Sequence, residues 1–327
     1  MLKRIIEFSL RNKFIVLLAT AALVLMGVYS VRHIPLDAIP DLSDVQVIIY
    51  TEWPGQAPQI IQDQVTYPLT TKMLSVPNSK VVRGYSFYGF SFVYVIFEDG
   101  TDPYWARSRV LEYLSGLSGR LPKGVSPSLG PDATGVGWAF MYSINSTNRS
   151  LAELRSMQDW YLKYQLTSVG GVSEVASIGG FVKQYQVTVD PTRLRAYNLS
   201  IGDVAMAVQK SNGEVGGRSI EMAEKEFILR VRGYIQGIED LKKVAVGVGT
   251  GGVPILLGEI ANVQLGPDMR RGIAELNGVG ETVGGIVVVR YGANARQVIT
   301  NVKQRLDQAM GGLRLTSNIA SLTTARR

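Results

Sequence analysis

Hydrophobic and polar positions change period several times along this chain. Leu2, Ile5, Ile6 and Leu10 recur at helical spacing among Lys3, Arg4, Glu7 and Arg11, a pattern that suits a helix lying along a membrane surface. No charged residue then occurs from Phe14 to Val31, which makes about 27 Å of helix at ~1.5 Å per residue, close to the hydrocarbon thickness of a bilayer. Tyr29 falls where an interfacial aromatic belongs, and the basic residues before the span orient the N-terminus to the cytoplasm. A buried core helix and a cleaved signal peptide are the competing readings. The apolar stretch exceeds the ~7–15 residues of a signal core, so it is read as an uncleaved anchor.

Beyond the span, Ile34-Pro35 and Ile39-Pro40 predict an extended stem, because proline biases its predecessor away from helix. Residues 45–51 are β-branched and apolar. Residues 56–74 put Ile60, Ile61, Val65 and Leu69 on one helical face, with Pro68 forcing a bend or an open carbonyl. Residues 80–88 and 91–98 alternate about a turn at Gly89. Asp102-Pro103 is an N-cap followed by proline at the first helical position, opening a helix with Val110, Tyr113, Leu114, Leu117 and Leu121 inward. Strand, helix, strand, strand, helix, strand is the order of the ferredoxin-like split β-α-β.

The order begins again with a strand at 137–145 and a helix opened by the capping box Ser150-x-x-Glu153. Residues 172–178 and 184–189 are expected to pair across Gly179-Gly180. The helix-to-strand joints, Ser75-Val76-Pro77-Asn78 and Ser168-Val169-Gly170-Gly171, match in position, which predicts an internal duplication. The second unit finishes only with a strand at 282–290 and a helix at 294–310, so an insertion separates its halves. That insertion holds a helix at 201–210, a glycine-rich stretch at 212–218, alternation at 227–231, a tight turn at 247–252 and a strand at 253–257. The predicted fold class is α+β: one N-terminal transmembrane helix, then two ferredoxin-like subdomains with an inserted α/β subdomain. The boundaries are an amphipathic segment at 1–13, the span at 14–31, the first subdomain at 32–135, halves of the second at 136–189 and 281–310, the insertion at 190–280 and a tail at 311–327.

Composition narrows the chemistry. Hydrophobic residues make up 46% and charged ones 19%, which excludes a disordered chain. The absence of cysteine excludes disulfides and thiolate sites, and His33 is the one histidine, so neither a multi-histidine metal site nor a histidine triad can form. The net charge of +7 is scattered, which points away from nucleic acid. The acidic pairs Asp41/Asp44, Glu98/Asp99 and Glu224/Glu226 lack a partner histidine, so the chain is not read as an enzyme and no cofactor is implied. Gly247–Gly252 lacks a lysine-serine pair and precedes a strand, which makes it a turn. Gly130–Trp138 reads as a linker between the repeats. The nine methionines occur singly and read as core filler, except that Met269, between Gly266-Pro267 and Arg270-Arg271, sits less naturally in a core.

Residues Asp41-Leu42-Ser43-Asp44-Val45-Gln46-Val47, the run from Val95 to Arg107 and the Gly130–Trp138 stretch resemble heavy-metal efflux pumps of the resistance-nodulation-division superfamily. Met269-Arg270-Arg271-Gly272 and Trp105-Ala106-Arg107-Ser108-Arg109 are more similar to the copper/silver branch than to the cobalt–zinc–cadmium branch. The resemblance implies a proton-driven inner-membrane antiporter, homotrimeric, joined to a periplasmic adaptor and an outer-membrane channel. The two repeats are then porter subdomains, the insertion is a docking subdomain, and the whole is periplasmic behind a single anchor in the bilayer. The main metal site and proton relay of the family fall outside this chain, so it is expected not to transport alone. Met269 matches a position where copper-type members carry a methionine on the path of the exported heavy-metal cation. Residues 212–230 correspond to an arm sent into the neighbouring protomer, and residues 311–327 depart from the family pattern, as a frameshifted or truncated gene would. The other readings are a membrane-anchored interaction module and a cobalt–zinc–cadmium permease fragment. Alkaline phosphatase fused after residue 310 is expected to be active in membranes that resist carbonate extraction; release into the soluble periplasmic fraction would mean a cleaved signal.

Overall fold

The computed structural model describes residues 2–33, 43–117, 119–146, 148–213, 215–222, 225–231, 233–249, 251–270, 272–317 and 321–325. The stem expected at Ile34-Pro35 and Ile39-Pro40 lies outside them. Helices α1 (Leu2–Arg11) and α2 (Lys13–His33) are separated at Asn12, whose side-chain amide donates to the Phe8 carbonyl at 3.2 Å. Among the described residues α2 is long and apolar enough to cross a membrane, and its side chains are exposed, Phe14 by 77% and Leu25 by 71%. The chain forms two compact units, one of Met1–Asn148, Met157–Ile178 and Thr282–Arg327, the other of Arg149–Ser156 and Gly179–Glu281.

The first unit begins with β1 (Gln46–Glu52), α3 (Pro58–Ile61), α4 (Tyr67–Met73), β2 (Ser79–Phe87), β3 (Phe90–Phe97), α5 (Pro103–Ser115) and the short β4 (Ser128–Leu129). The sheet runs β2-β3-β1-β4, antiparallel throughout. Strand alternation sends Val47, Ile49, Val93 and Val95 to one face, where Ile61, Val65, Leu69 and Met73 meet Ala106 and Val110 of α5. Asp102 caps α5 as its sequence predicts, accepting from the Trp105 amide at 3.1 Å. Between α3 and α4 the helix widens into one π turn, Gln62–Thr66, just ahead of Pro68, which can donate no backbone hydrogen bond. The turn points Thr66 into the core, where its hydroxyl bonds those of Ser86 at 2.7 Å and Ser91 at 2.8 Å. Gly84 makes the approach possible, since a Cβ there would lie 2.5 Å from the Thr66 methyl.

The same device recurs after β5 (Trp138–Asn145). Helix α6 (Leu151–Met157) opens with the capping box, the Ser150 amide donating to Glu153 at 2.9 Å and the Glu153 amide to Ser150 Oγ at 3.3 Å. A π turn, Gln158–Leu162, precedes α7 (Lys163–Thr167) and β6 (Val172–Gly179). No proline lies in this turn, so proline is not its general cause. The fully buried Gln158 accepts from the Tyr142 hydroxyl at 2.8 Å. Asn78 and Gly171, at matching places in the two helix-to-strand joints, both take left-handed backbone, φ 60° and 87°.

The strand pair expected across Gly179-Gly180 does not form. Strand β7 (Lys183–Val189) leaves β6 and belongs to the second unit, because Val187 and Val189 are packed against that unit's core. Burial outweighs the local hairpin signal. The second unit continues through α8 (Pro191–Ala196), α9 (Ile201–Ser211), β8 (Val215–Met222), β9 (Lys225–Val231), α10 (Ile238–Lys242), β10 (Ala245–Val248), β11 (Pro254–Leu256), α11 (Leu257–Ile260) and β12 (Ala261–Pro267). β12 pairs β7 from Ala261↔Val189 to Pro267↔Lys183. Leu194, Val204, Leu241, Ile255 and Ile260 share its core. β8 and β9 form a sheet of their own.

The chain then returns to the first unit with β13 (Val283–Val289), α12 (Ala295–Ser317) and β14 (Ser321–Ala325). The second sheet runs β14-β5-β13-β6. Within the tail at 311–327, residues 311–317 form the last turns of α12 and 321–325 form an edge strand paired with β5. Gly285, opposite Tyr142 on β13, leaves room for the phenol, because a Cβ would lie 2.5 Å from its oxygen. Burial pushes the Tyr142 phenol above its ordinary range, so it stays protonated and donates to Gln158. Gln158→Ala is expected to cost about 2–3 kcal/mol by leaving that hydroxyl buried and unpaired; adding Tyr142→Phe should recover part of the loss in thermal unfolding.

Candidate functional site

The loop that carries Met269 is fixed on both sides of it. β12 ends at Pro267, and the Asp268 amide donates to the Val182 carbonyl at 2.8 Å, extending the β7 pairing by one bond. Beyond Met269, Arg270 forms a two-bond pair with Glu281, at 3.0 and 2.6 Å. Its guanidinium lies 4.7 Å from the centroid of the Phe181 ring, and its Nε donates to the Gly272 carbonyl at 3.2 Å. The Met269 side chain between these anchors is 61% exposed. It therefore presents one thioether from a fixed backbone. A soft monovalent cation takes two or three sulfur ligands, so Met269 can serve as one donor of a shared site. The other methionines divide: Met73 and Met310 are buried core, whereas Met26 and Met206 are exposed. No cluster of three histidine, cysteine, aspartate or glutamate side chains suited to a metal occurs among the described residues.

Sequence reasoning passed over a second feature. Gly130–Trp138 is read from sequence as a linker, and it runs between the two four-stranded sheets, but it also walls a cavity of about 400 Å³ within the first unit. Asp132 is its keystone. Its carboxylate accepts from Arg290 Nε at 2.8 Å and from the Ser173 hydroxyl, and its carbonyl accepts from the Tyr291 amide at 3.0 Å. Arg107 donates to the Pro131 carbonyl at 3.2 Å. Tyr104, Tyr291 and Asp44 add to the polar lining. Gly137 sits where a Cβ would meet the Val289 carbonyl at 3.1 Å, so this glycine allows the linker to lie against β13. The available signal was that Arg107 and Asp132 both stand in the stretches that resemble one family.

The other glycine-rich stretch is a turn, as its pattern predicts: Gly251 and Gly252 have φ 87° and 82°, and the chain folds back from β10 to β11. Glu98, Asp99 and Glu226 are exposed, Asp44 is exposed at the cavity, and Asp41 and Glu224 lie outside the described residues.

A family model described as the AcrB/AcrD/AcrF family matches residues 5–314. The chain belongs to this family. It is 55% identical over 315 residues to the cation efflux system protein CusA of Escherichia coli K12, covering 96% of this chain and 30% of that protein. The cobalt-zinc-cadmium resistance protein CzcA of Cupriavidus metallidurans is 36% identical, with 94% and 29% covered. Among solved structures, a heavy metal efflux pump superposes with a TM-score of 0.82 at 30% identity, covering 96% of this chain and 31% of that one. The chain thus spans about 30% of the length of the relatives it matches.

The Arg270 pair holds the Glu281 carboxyl below its ordinary 4.5. A carboxylate depressed in this way stabilises the folded loop above its ordinary value, and the contribution is lost as pH falls through the lower folded value. Glu281→Gln is expected to speed hydrogen exchange at Met269 and Gly272 at pH 7, with the difference from the parent chain vanishing in acid well below 4.5.

Proposed function

We propose that this chain supplies the N-terminal part of an inner-membrane, proton-driven heavy-metal efflux pump of the copper/silver branch. The observation that carries this reading is the gap between 55% identity to CusA and 36% to CzcA across nearly the same span. α2 is the single anchor in the bilayer, with α1 on its cytoplasmic side and the chain beyond α2 periplasmic. The sheets ordered β2-β3-β1-β4 and β14-β5-β13-β6 support two ferredoxin-like porter subdomains, the first at 32–135 and the second drawn back from 136–189 to 136–178 and extended from 281–310 to take in β14. The docking subdomain at 190–280 is widened at its start to take in β7.

The family reading carries its partners with it: a homotrimer, a periplasmic adaptor and an outer-membrane channel. Among the described residues the β8–β9 hairpin pairs only with itself, and Ile220 and Phe227 are 44% and 54% exposed, which supports an arm reaching a neighbouring subunit. Met269 is read as one thioether donor on the export path, with further sulfur ligands supplied from outside this chain.

Expressed alone in a pump-deleted strain, the chain is expected not to restore copper or silver tolerance. A chimera in which it replaces the matching part of E. coli CusA is expected to restore tolerance, and Met269→Ala to lower it. A membrane-inserted chimera that confers none overturns the efflux reading. Reduced tolerance when the lone chain accompanies an intact pump would support mixed trimers.

A further inference from the structure

The ribbon of β7 and β12 has two unlike faces. Val187, Val189, Ala261 and Val263 turn to the core of the second unit. By strand alternation Gln184, Gln186, Asn262 and Gln264 share the other face, with Gln186 directly opposite Gln264. Their carboxamides form hydrogen bonds that all run one way. Asn262 donates to Gln264 at 3.4 Å, Gln264 to Gln186 at 3.4 Å, and Gln186 to the Pro267 carbonyl at 3.0 Å. Gln184 donates to the same carbonyl at 3.2 Å. Gln186 is the half-buried member of this ladder, and the other three are exposed. Gly266 leaves room for it, because a Cβ there would collide with the Gln186 carboxamide.

We infer that Gln186 is a positioning residue for the Met269 thioether, acting through the Pro267 carbonyl, an inference that rests on the reading of Met269 as a soft-metal donor. The proline ring fixes φ at 267, so the freedom left at the end of the ribbon is ψ, the rotation that swings this carbonyl. Two side-chain donors on one oxygen hold it. That sets the direction in which the chain leaves the ribbon, and Met269 is two residues on. Pro267 has no N–H to lock the last rung from its own side, and the carboxamides supply the grip that its backbone lacks. A line of hydrogen bonds of one sense polarises each member, which strengthens the bond at its end. The next two amides are held in turn: Asp268 donates to the Val182 carbonyl at 2.8 Å and Met269 to the Asp268 carboxylate at 2.7 Å. A soft cation shared among thioethers needs its sulfurs to converge on one point, and a loop free to turn at Pro267 would not keep the Met269 sulfur in place.

Three substitutions break this grip from different sides. Gln186→Glu keeps the shape and the acceptor but loses the donor, Gln186→Leu keeps the volume alone, and Gly266→Ala displaces the carboxamide while Gln186 stays in the sequence. In the lone chain each is expected to speed hydrogen exchange at the Asp268 and Met269 amides roughly fivefold, the net worth of one hydrogen bond, and to leave Val187 and Val263 unchanged. Parent rates at Asp268 and Met269 in all three variants overturn the inference. So does an equal rise at Val187 and Val263, which would mark general loosening of the ribbon. In the CusA chimera each variant is expected to lower copper or silver tolerance, and to lower it no further once Met269 is alanine, because a residue acting through Met269 then has nothing left to position. An equal further loss in the Met269→Ala background overturns the inference, as does no loss where Met269→Ala itself lowers tolerance. Tolerance untouched by Met269→Ala sinks the donor reading instead, and the exchange rates still decide whether Gln186 holds the loop.

Discussion

Each sheet of the first unit depends on one contact, a polar side chain delivered into the core by a widened helical turn. Elsewhere the inward faces of these helices are apolar, with Ile61, Leu69 and Met73 in one and Leu154, Leu162 and Leu166 in the other. The π turns at Gln62–Thr66 and Gln158–Leu162 instead bring Thr66 to Ser86 and Ser91, and Gln158 to Tyr142. A buried hydrogen bond adds little net stability, but leaving either partner unpaired is costly. Such contacts therefore act mainly on registry: a helix that slides along its sheet strands a hydroxyl or an amide in an apolar interior. Gly84 and Gly285 are the other half of the device, because each opens the space the polar group occupies. The two glycines stand on different strands of their sheets, so the repeats share the principle without sharing the position.

Burial, rather than chain order, decides which strands belong together. The run from Val172 to Val189 looks locally like a hairpin, yet β6 joins the second sheet while β7 pairs β12, more than seventy residues further on. Val187 and Val189 are better covered by the core around Leu194 and Ile260 than an exposed hairpin could make them. Closing so long a loop costs only slowly more entropy than closing a short one, and the matched ladder from Ala261 to Pro267 offsets it. The insertion is thus held at its start and end by its own two strands, and folds as a unit around its own core.

The candidate sites follow from these joints. Met269 lies two residues beyond the end of the β7–β12 ladder at Pro267, and the ladder and the Arg270–Glu281 pair together hold its backbone while its side chain stays exposed. The cavity around Asp132 forms where the linker between the repeats meets the ends of β13 and α5. In both places polar anchors fix a stretch of backbone that lies outside the helices and strands.

Much of this protein is legible in residue order alone. The apolar run from Phe14, the Asp102 cap, the Ser150–Glu153 box and the 2.0- and 3.6-residue periods are local signals, and a local signal needs only neighbours in sequence to be read. The family resemblance rests likewise on contiguous runs. The partner of β7, the π turns, the role of Asp132 and the carboxamide ladder on β7 and β12 were not legible. Each depends on which distant residues meet, and that is set by competition for burial across the whole chain. Met269 shows both limits: its position could be singled out in sequence, but the clamp of Arg270 on Glu281 and Phe181 that fixes its loop exists only because β12 pairs β7.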